Sequence, residues 1–474
     1  MRQVAVDAVE LERLERFLEP DRVERLNAYA ALAREQLRGV VVWNVNATAQ
    51  GGGVAEMLQG ILAYGRGAGV DTRWLVLDGD PEFFTITKRL HNFLHGSPGD
   101  GGKLGPDEAA HYKTVLEDNL TQMTQMVRPG DIVLLHDPQT AGMVAGLQAA
   151  GALVTWRCHI GRDEPTELSD VGWEFLRPFV EGSQAIVFSR QQYAPSWMPG
   201  EKLWVVPPSL DPFSAKNAEL NPADVATTLR VAGLVDTAPN GGSTAFVRRS
   251  GQPGRVRQRD SLVIDSGPVP RDARIVLQVS RWDRLKDMAG VLTGFTERID
   301  DMPPDAHLVL AGPDVAAVSD DPEGAAVLAE CRSLWGRLPG KVMDRVHLIA
   351  LPMDDSDENA HLVNALQRYA AVVVQKSLVE GFGLTVTEPM WKARPVVASA
   401  VGGIQDQIED GISGLLLDDP SDAGTFGRMV ARLMHDDEAA MRLGAAARAR
   451  VKDRFLGDRH LIQYAELFAA MLDR

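Results

Sequence analysis

Cysteine is almost missing from this chain. Cys158 and Cys331 are the only two among 474 residues, far apart and without the spacing of metal ligands. They supply no disulfide framework, and so sparse a use of thiols fits a reducing, cytoplasmic setting. Long apolar runs are missing too, since no stretch approaches the ~18 residues of a membrane span. The first residues, MRQVAVDAVELERLERFLEP, carry charge throughout and lack the apolar centre of a signal peptide. Positive charge is in short supply: Lys and Arg total 49 against 65 Asp and Glu, a net charge of −16. A nucleic-acid partner requires a broad basic footprint. These absences predict a cytoplasmic protein with neither membrane nor nucleic acid as partner, while a local basic pocket for one diphosphate stays compatible with them.

What is present points to enzyme-like α/β architecture. A chain of 474 residues is too long for one ordinary core and implies two domains. The most informative stretch runs from Ala371 to Gly403. Ala371–Val374 reads as a strand buried on both faces. Glu380-Gly381-Phe382-Gly383 follows, where glycine permits a tight turn close to a ligand. A helix is predicted from about Leu384 to Lys392, and the next strand at Pro395–Ala398. The loop therefore opens at a strand's C-terminal end, the usual ligand position in open α/β sheets. Glu380 and Glu388, with seven residues between them, frame a helix N-terminus whose free N–H groups suit a phosphate. Two hydroxyl-binding carboxylates beside an anion site match the needs of a sugar nucleotide. A helix-start Glu plus a solvated Glu is the plainer alternative.

Other segments repeat the strand-then-loop pattern. Residues 7–38 predict two amphipathic helices broken near Pro20, which can pack on the neighbouring domain or join two copies as a homodimer. Val40–Val45 is a strand running into a glycine triplet ending at Gly52-Gly53. This loop is neither a P-loop, for want of Lys-Ser/Thr, nor a G-x-G-x-x-G fingerprint. After the strand Arg73–Leu77, the residues Lys88, His91, Asn92 and His95 fall on one helix face. They offer donors to sugar hydroxyls, or else form a solvated face. The strand Asp131–Leu135 ends in His136-Asp137, and Val154–Cys158 ends in His159-Ile160-Gly161. A His just past a strand end is well placed for a cleft, although a lone His is more often structural.

Strands at Ala185–Ser189 and Leu203–Pro207 close the first half, and Pro207–Pro212 reads as a linker. Residues 240–267 hold five arginines (Arg248, Arg249, Arg255, Arg257, Arg259) among Gly, Ser and Pro, and read as a solvated, partly mobile loop. The second half restarts at Arg274–Val279. Arg281 and Lys286 flank the short loop after it, a planar fork and a point charge fit to hold a diphosphate; two solvated cations are the alternative. His307–Ala311 and Val346–Leu351 are further strands, with Gly312-Pro313-Asp314 as a turn. No Asp-x-Asp metal motif sits in a comparable loop. Asp320-Asp321 and Asp354-Asp355 lie in polar connectors and read as solvated, so no protein-bound metal is expected. Leu461, Ile462, Tyr464, Leu467, Phe468 and Met471 form a last apolar helical stripe.

The Glu380-to-Glu388 stretch resembles the Glu-x7-Glu signature of retaining nucleotide-sugar glycosyltransferases of family 4. Several other segments are similar to its trehalose synthase branch, which joins a nucleotide-activated glucose to free glucose. The resemblance covers most of the chain, and is weakest before residue 35 and over 215–270. It implies a GT-B fold: two facing Rossmann-like domains with a central interdomain cleft. The domains would be a helical extension (1–38), an acceptor-side domain (39–210), a donor-side domain (211–455) and a terminal helix (456–474) crossing back to the first.

It further implies catalytic roles for Arg281, Lys286, Glu380 and His159. Gly52, Gly53, Gly381, Phe382, Gly383, Leu384, Thr385 and Glu388 would join Arg281, Lys286 and Glu380 in binding the donor. Lys88, His91, Asn92, His95 and Asp137 would bind the acceptor. The expected partners are nucleoside-diphosphate glucose, such as UDP-glucose or ADP-glucose, and glucose or trehalose. No cofactor is expected for the chemistry, although Mg can accompany the diphosphate. A retaining trehalose phosphorylase, a glucosyltransferase with another sugar acceptor, and a non-catalytic sugar-nucleotide binding protein are the alternatives.

Overall fold

The computed structural model describes residues 1–49, 52–239, 241–259, 262–315 and 322–473. The chain forms two compact units, one of Met1–Ser209 with Phe455–Arg474 and one of Leu210–Arg454. The Asp320-Asp321 pair lies outside the described residues, as do Gln50 and Gly51 of the glycine loop. Among the described residues no helix is long and apolar enough to cross a membrane.

The first unit is built on a seven-stranded sheet. Its strands are β1 (Arg2–Val4), β2 (Val41–Asn46), β3 (Asp71–Val76), β4 (Ile132–His136), β5 (Leu153–Cys158), β6 (Ala185–Phe188) and β7 (Leu203–Val205). The spatial order is β1-β3-β2-β4-β5-β6-β7. All pairs are parallel except β1 with β3. Strands β2 and β4 are buried at every position, which is why they read as continuous apolar runs. The helix Gly457–Leu472 buries Tyr464, Leu467, Phe468 and Met471 with Leu58, Ile61 and Leu134. Arg22 adds a bidentate bond to the buried Asp458, Nε donating to Oδ2 at 3.0 Å and Nη2 to Oδ1 at 2.8 Å.

The N-terminal segment holds the two expected helices over 7–38, preceded by a short strand. Residues 2–4 pair as an antiparallel edge strand, and the helices are a single turn, Glu12–Glu15, and a long one, Pro20–Gln36. The break between them falls just before Pro20, which opens the second helix. Its ring presets φ at the first turn, where the missing N–H costs nothing.

The second unit repeats the plan with β8 (Val235–Asp236), β9 (Ala245–Val247), β10 (Pro253–Arg255), β11 (Val263–Asp265) and β12 (Val269–Pro270) ahead of its main strands. Those are β13 (Arg274–Val279), β14 (Ala306–Pro313), β15 (Val346–Leu351), β16 (Val372–Gln375), β17 (Val396–Ser399) and β18 (Leu415–Leu417). The large sheet has the order β11-β15-β14-β13-β16-β17-β18. Its parallel strands thus run third, second, first, fourth, fifth, sixth, the doubly wound order with a switch point between β13 and β16. Gly312 and Pro313 lie inside β14 and form no turn. Residue 312 is glycine because a Cβ there would lie 2.5 Å from the Trp282 ring.

Residues 241–267 are not a solvated loop where described. β9 and β10 form an antiparallel hairpin, and β11 joins the large sheet as its edge. Four of the five arginines meet the acidic start of the helix Ser356–Tyr369. Arg248 pairs with Asp355 at 2.8 Å and Arg249 with Asp357 at 2.7 Å. Arg257 and Arg259 both reach Asp354, at 2.8 and 2.9 Å, and both reach Glu358. Asp355 also caps the helix by accepting from the Asp357 and Glu358 amides. Asp354-Asp355 is therefore engaged rather than simply solvated. Glu358 is fully buried, so removing its cations would leave an uncompensated charge in the interior. The double variant Arg257→Ala/Arg259→Ala is expected to cost about 3 kcal/mol of stability, read as a lower denaturant midpoint with an unchanged slope.

Candidate active site

In the second unit the switch point brings two loops together. One follows β13 and carries Arg281 and Lys286; the other follows β16 and runs through Glu380 to the helix Leu384–Trp391. Backbone pairing fixes them to each other, because the Leu378 amide donates to the Leu285 carbonyl at 2.8 Å. The buried Gln278 spans both, donating to the Lys286 carbonyl (2.7 Å) and accepting from the Lys376 amide (3.2 Å). As a result Lys286 Nζ lies 2.6 Å from Glu380 Oε2, a contact across 94 residues of sequence. Ser377 Oγ donates to the same oxygen at 3.2 Å. Both members of the ion pair are largely buried, at 15% and 10% side-chain exposure. Arg281 is more open, and its guanidinium lies 3.0 Å from Asp283. Asp283 also accepts from the Leu285 amide at 2.8 Å, so one carboxylate shapes the loop and orients its first cation.

The glycine loop is clamped from behind. Gly383 has φ +86° and precedes the first helical residue, with Leu384 and Thr385 half-buried. Phe382 is buried, and its carbonyl accepts from Gln407, whose side chain also accepts from Thr387. The Gly403 amide meets the Gly381 carbonyl at 3.3 Å. Among the described residues the buried Thr385 hydroxyl has no hydrogen-bond partner. It stands in the first turn of the helix, where backbone N–H groups also lack intrahelical acceptors.

Glu388 has a different environment. It is buried, accepts from Gln367 Nε2 at 3.0 Å, and has Lys216 Nζ 3.5 Å from its other oxygen. Lys392 Nζ donates to Gln367 (2.7 Å), Asn217 (3.0 Å) and the Glu388 carbonyl (3.2 Å). Burial pushes the Lys392 ammonium well below the usual lysine range. Lys286 and Glu380 are thus brought into contact, whereas the Glu388 carboxylate is held by its own partners.

In the first unit the strand order reverses between β2 and β4. Gly52, at φ +90°, leads into the helix Gly53–Gly67 beyond β2. Asp137 follows β4 in a left-handed conformation, φ +64°. Its carboxylate accepts from the His159 amide at 2.7 Å, and its carbonyl from Trp156 Nε1 at 3.0 Å. Asp137 therefore braces the loop that carries His159. Burial pushes the Asp137 carboxyl up to about 7. His159 is half-buried, with Nε2 3.1 Å from His136 Nδ1, and His136 Nε2 lies 3.0 Å from Asn44 Oδ1.

The polar stripe Lys88, His91, Asn92 and His95 lies on the helix Pro81–Leu94 and its C-cap. It is no solvated face: His95 is buried, the other three are half-buried, and the His91 and His95 rings meet edge-on at 4.8 Å. Arg162 Nη1 donates to the His95 carbonyl at 3.0 Å, tying the stripe to the loop after β5.

Several side chains around these sites were not singled out from sequence. Lys376 pairs with Asp287, which is left-handed (φ 48°) and caps the next helix. Gln278, Ser377, Gln407 and Asn44 complete the polar surroundings. Gln278 and Asn44 are polar residues within apolar strands and Ser377 follows one, whereas Gln407 lies on the short helix Ile404–Gln407 and gave no such signal. Among the described residues no three His, Cys, Asp or Glu side chains group so as to hold a metal ion.

Residues 44–195 match the family described as "Trehalose synthase, N-terminal domain", and residues 355–450 match "Glycosyl transferases group 1". The trehalose synthase of Thermococcus litoralis is 33% identical over 96% of both chains. The chain belongs to the trehalose synthase family. The trehalose synthase of Rubrobacter xylanophilus is 32% identical over 92% of each chain. Among solved structures, a UDP-forming α,α-trehalose-phosphate synthase from Burkholderia vietnamiensis superposes with a TM-score of 0.64 at 15% identity, covering 92% of this chain and 97% of the other. That likeness establishes the GT-B fold of two Rossmann-like domains. As a member of the trehalose synthase family the protein is a hexosyltransferase, and its chemistry is trehalose-related glycosyl transfer.

Burial of neutral histidine carries a pH prediction. Burial holds His136 at about 3 and His307 and His361 at about 4, while His159 and His460 lie well below the ordinary value of 6.5. Unfolded histidine takes up a proton below about 6.5 and these folded ones do not, so acid favours the unfolded chain. Asp137 works the other way over its window from about 4 to 7, but one carboxyl opposes five imidazoles. The melting temperature is expected to be lower at pH 5 than at pH 7.5 by roughly 5 °C or more, measured by calorimetry.

Proposed function

We propose that the protein transfers glucose with retention from a nucleoside-diphosphate glucose to the anomeric hydroxyl of free glucose, giving α,α-trehalose and a nucleoside diphosphate. The observation that carries this reading is the Lys286–Glu380 ion pair beside the N-terminus of the helix Leu384–Trp391. A cation, a carboxylate and free N–H groups converge there, and the unpartnered Thr385 hydroxyl adds one more donor.

In this reading Arg281 and Lys286 neutralise the diphosphate, assisted by the backbone of Gly383, Leu384 and Thr385. Lys286 exchanges part of its bond to Glu380 for a phosphate oxygen, which frees Glu380 to accept from donor-sugar hydroxyls. Gly381 and Phe382 let the sugar approach the backbone, and Glu388 takes the ribose hydroxyls. On the first unit Gly52 and Gly53 lie by the donor and His159 supports its sugar. Lys88, His91, Asn92, His95 and Asp137 place the acceptor glucose, Asp137 partly by holding the His159 loop.

The bond between the glucose C1 and the diphosphate oxygen breaks as the acceptor oxygen attacks C1 from the same face. The acceptor proton passes to the departing diphosphate, so no enzyme nucleophile is consumed. Orientation and electrostatic stabilisation provide the rate. With two cations on the diphosphate no protein-bound metal is required, and turnover should persist in excess EDTA.

Product analysis tests the proposal. With ADP-glucose or UDP-glucose and carbon-labelled glucose, labelled α,α-trehalose should form in step with nucleoside diphosphate. Cleavage of trehalose by inorganic phosphate, with no nucleotide dependence, would replace it by a phosphorylase. Turnover with another sugar alone would keep the donor site and discard the acceptor.

A further inference from the structure

Asn44 and His136 sit behind His159 in a chain of three side chains. Asn44 on β2 and His136 at the end of β4 come from adjacent strands and are both buried. Asn44 Oδ1 lies 3.0 Å from His136 Nε2, and His136 Nδ1 lies 3.1 Å from His159 Nε2, the two rings nearly parallel at 15°. A neutral imidazole has one N–H and one lone pair, and the bond at one nitrogen decides the state of the other. Neutrality is enforced here. Burial disfavours a second proton on either ring, and the positive Arg157 nearby opposes it as well.

The sense of the chain then follows from its inner end. A carbonyl oxygen only accepts, so Asn44 Oδ1 requires the His136 proton on Nε2. His136 Nδ1 is left as a lone pair, which requires the His159 proton on Nε2. His159 Nδ1 is then a lone pair as well, and among the described residues this half-buried ring makes no other side-chain hydrogen bond. We propose that Asn44 and His136 are positioning residues that hold His159 as a hydrogen-bond acceptor at Nδ1 toward a substrate hydroxyl. This rests on the reading of His159 as facing the sugar. It makes His159 a receiver of a sugar O–H rather than a proton donor, and so a reader of the hydroxyl itself. Sites built to bond a hydroxyl discriminate strongly against analogues that lack it.

The test uses the full-length enzyme labelled with nitrogen-15 histidine. It has ten histidines, and the His159 signals are those lost in His159→Gln. At neutral pH the wild-type spectrum should show His159 Nε2 protonated and Nδ1 unprotonated; a protonated Nδ1 overturns the proposal. Asn44→Asp keeps an acceptor and should preserve this pattern. Asn44→Leu should mix the two tautomers and raise the KM of one sugar substrate about tenfold, with a smaller change in kcat. A KM change in Asn44→Leu with an unaltered His159 pattern would reduce Asn44 to a packing role and overturn the relay. If the pattern is as stated but His159→Gln turns over like wild type, the relay stands and the sugar-facing reading of His159 fails.

Discussion

Lys286→Ala is expected to lower kcat/KM by about 1,000-fold, the scale seen when a preorganised donor to developing negative charge is lost from a water-poor site. The ammonium is largely buried, its loop is pinned through Gln278 and the Leu378–Leu285 backbone bond, and nothing else in that loop replaces it. Arg281 remains, but its guanidinium is turned toward Asp283 and is half-exposed. Most of the loss should fall on kcat, since the leaving group gains charge as the sugar bond breaks. Lys286→Arg should rescue little, because a planar fork cannot replace a point charge in the same space. Glu380 keeps Ser377 as a partner, so the melting temperature should shift only modestly. Steady-state kinetics with a calorimetric scan checks both statements. A variant of near-normal kcat would remove the proposed role of this cation. In a double-mutant cycle, Glu380→Gln should be far from additive with Lys286→Ala, because the two groups touch.

Gly403→Ala should have the second-largest effect, by a purely steric route. Gly403 has φ −63° and ψ −10°, which alanine adopts without strain. A Cβ there, however, would lie 2.6 Å from Phe382 Cα and 2.9 Å from the Gly381 carbonyl oxygen. Both are backbone atoms, so the methyl can be accommodated only by moving the loop that leads into the helix Leu384–Trp391. Displacements approaching 1 Å at a reacting centre cost about 100-fold in rate, and kcat/KM is expected to fall by about that factor. The overpacking should cost about 1–3 kcal/mol of stability. Gly340→Ala serves as the control, since nothing lies within 4 Å of its added Cβ. Equal activity in the two variants would mean that the loop position does not govern transfer.

Much of the second unit was legible from residue pattern. Arg274–Val279 and Val346–Leu351 are strands with the expected bounds, and the helix after Gly383 begins at Leu384 as read. These are cases where local sterics and burial agree. β-branched runs suit a strand covered on both faces, and glycine suits a left-handed residue before a helix. The membership in a family of trehalose-related glycosyltransferases was readable for the same reason, since its motif lies within one short stretch. The arginine-rich segment was misread because its partners stand about 100 residues away, so composition alone made it look solvated. Residues 2–4 gave no signal as a strand because an edge strand of three residues owes its existence to β3. The polar stripe ending at His95 was ambiguous until burial decided it, as helical spacing says which residues share a face and not what the face meets.

The sequence by itself determined where strands, glycine turns and helix starts occur, and which charged residues stand at strand ends. Backbone sterics and side-chain period act over a few residues, so that information is local. Tertiary structure alone decided that Lys286 meets Glu380, that Lys376 meets Asp287, and that Asn44 and His136 stand behind His159. Each of these depends on which strands lie side by side, and strand order is set by the packing of whole sheets.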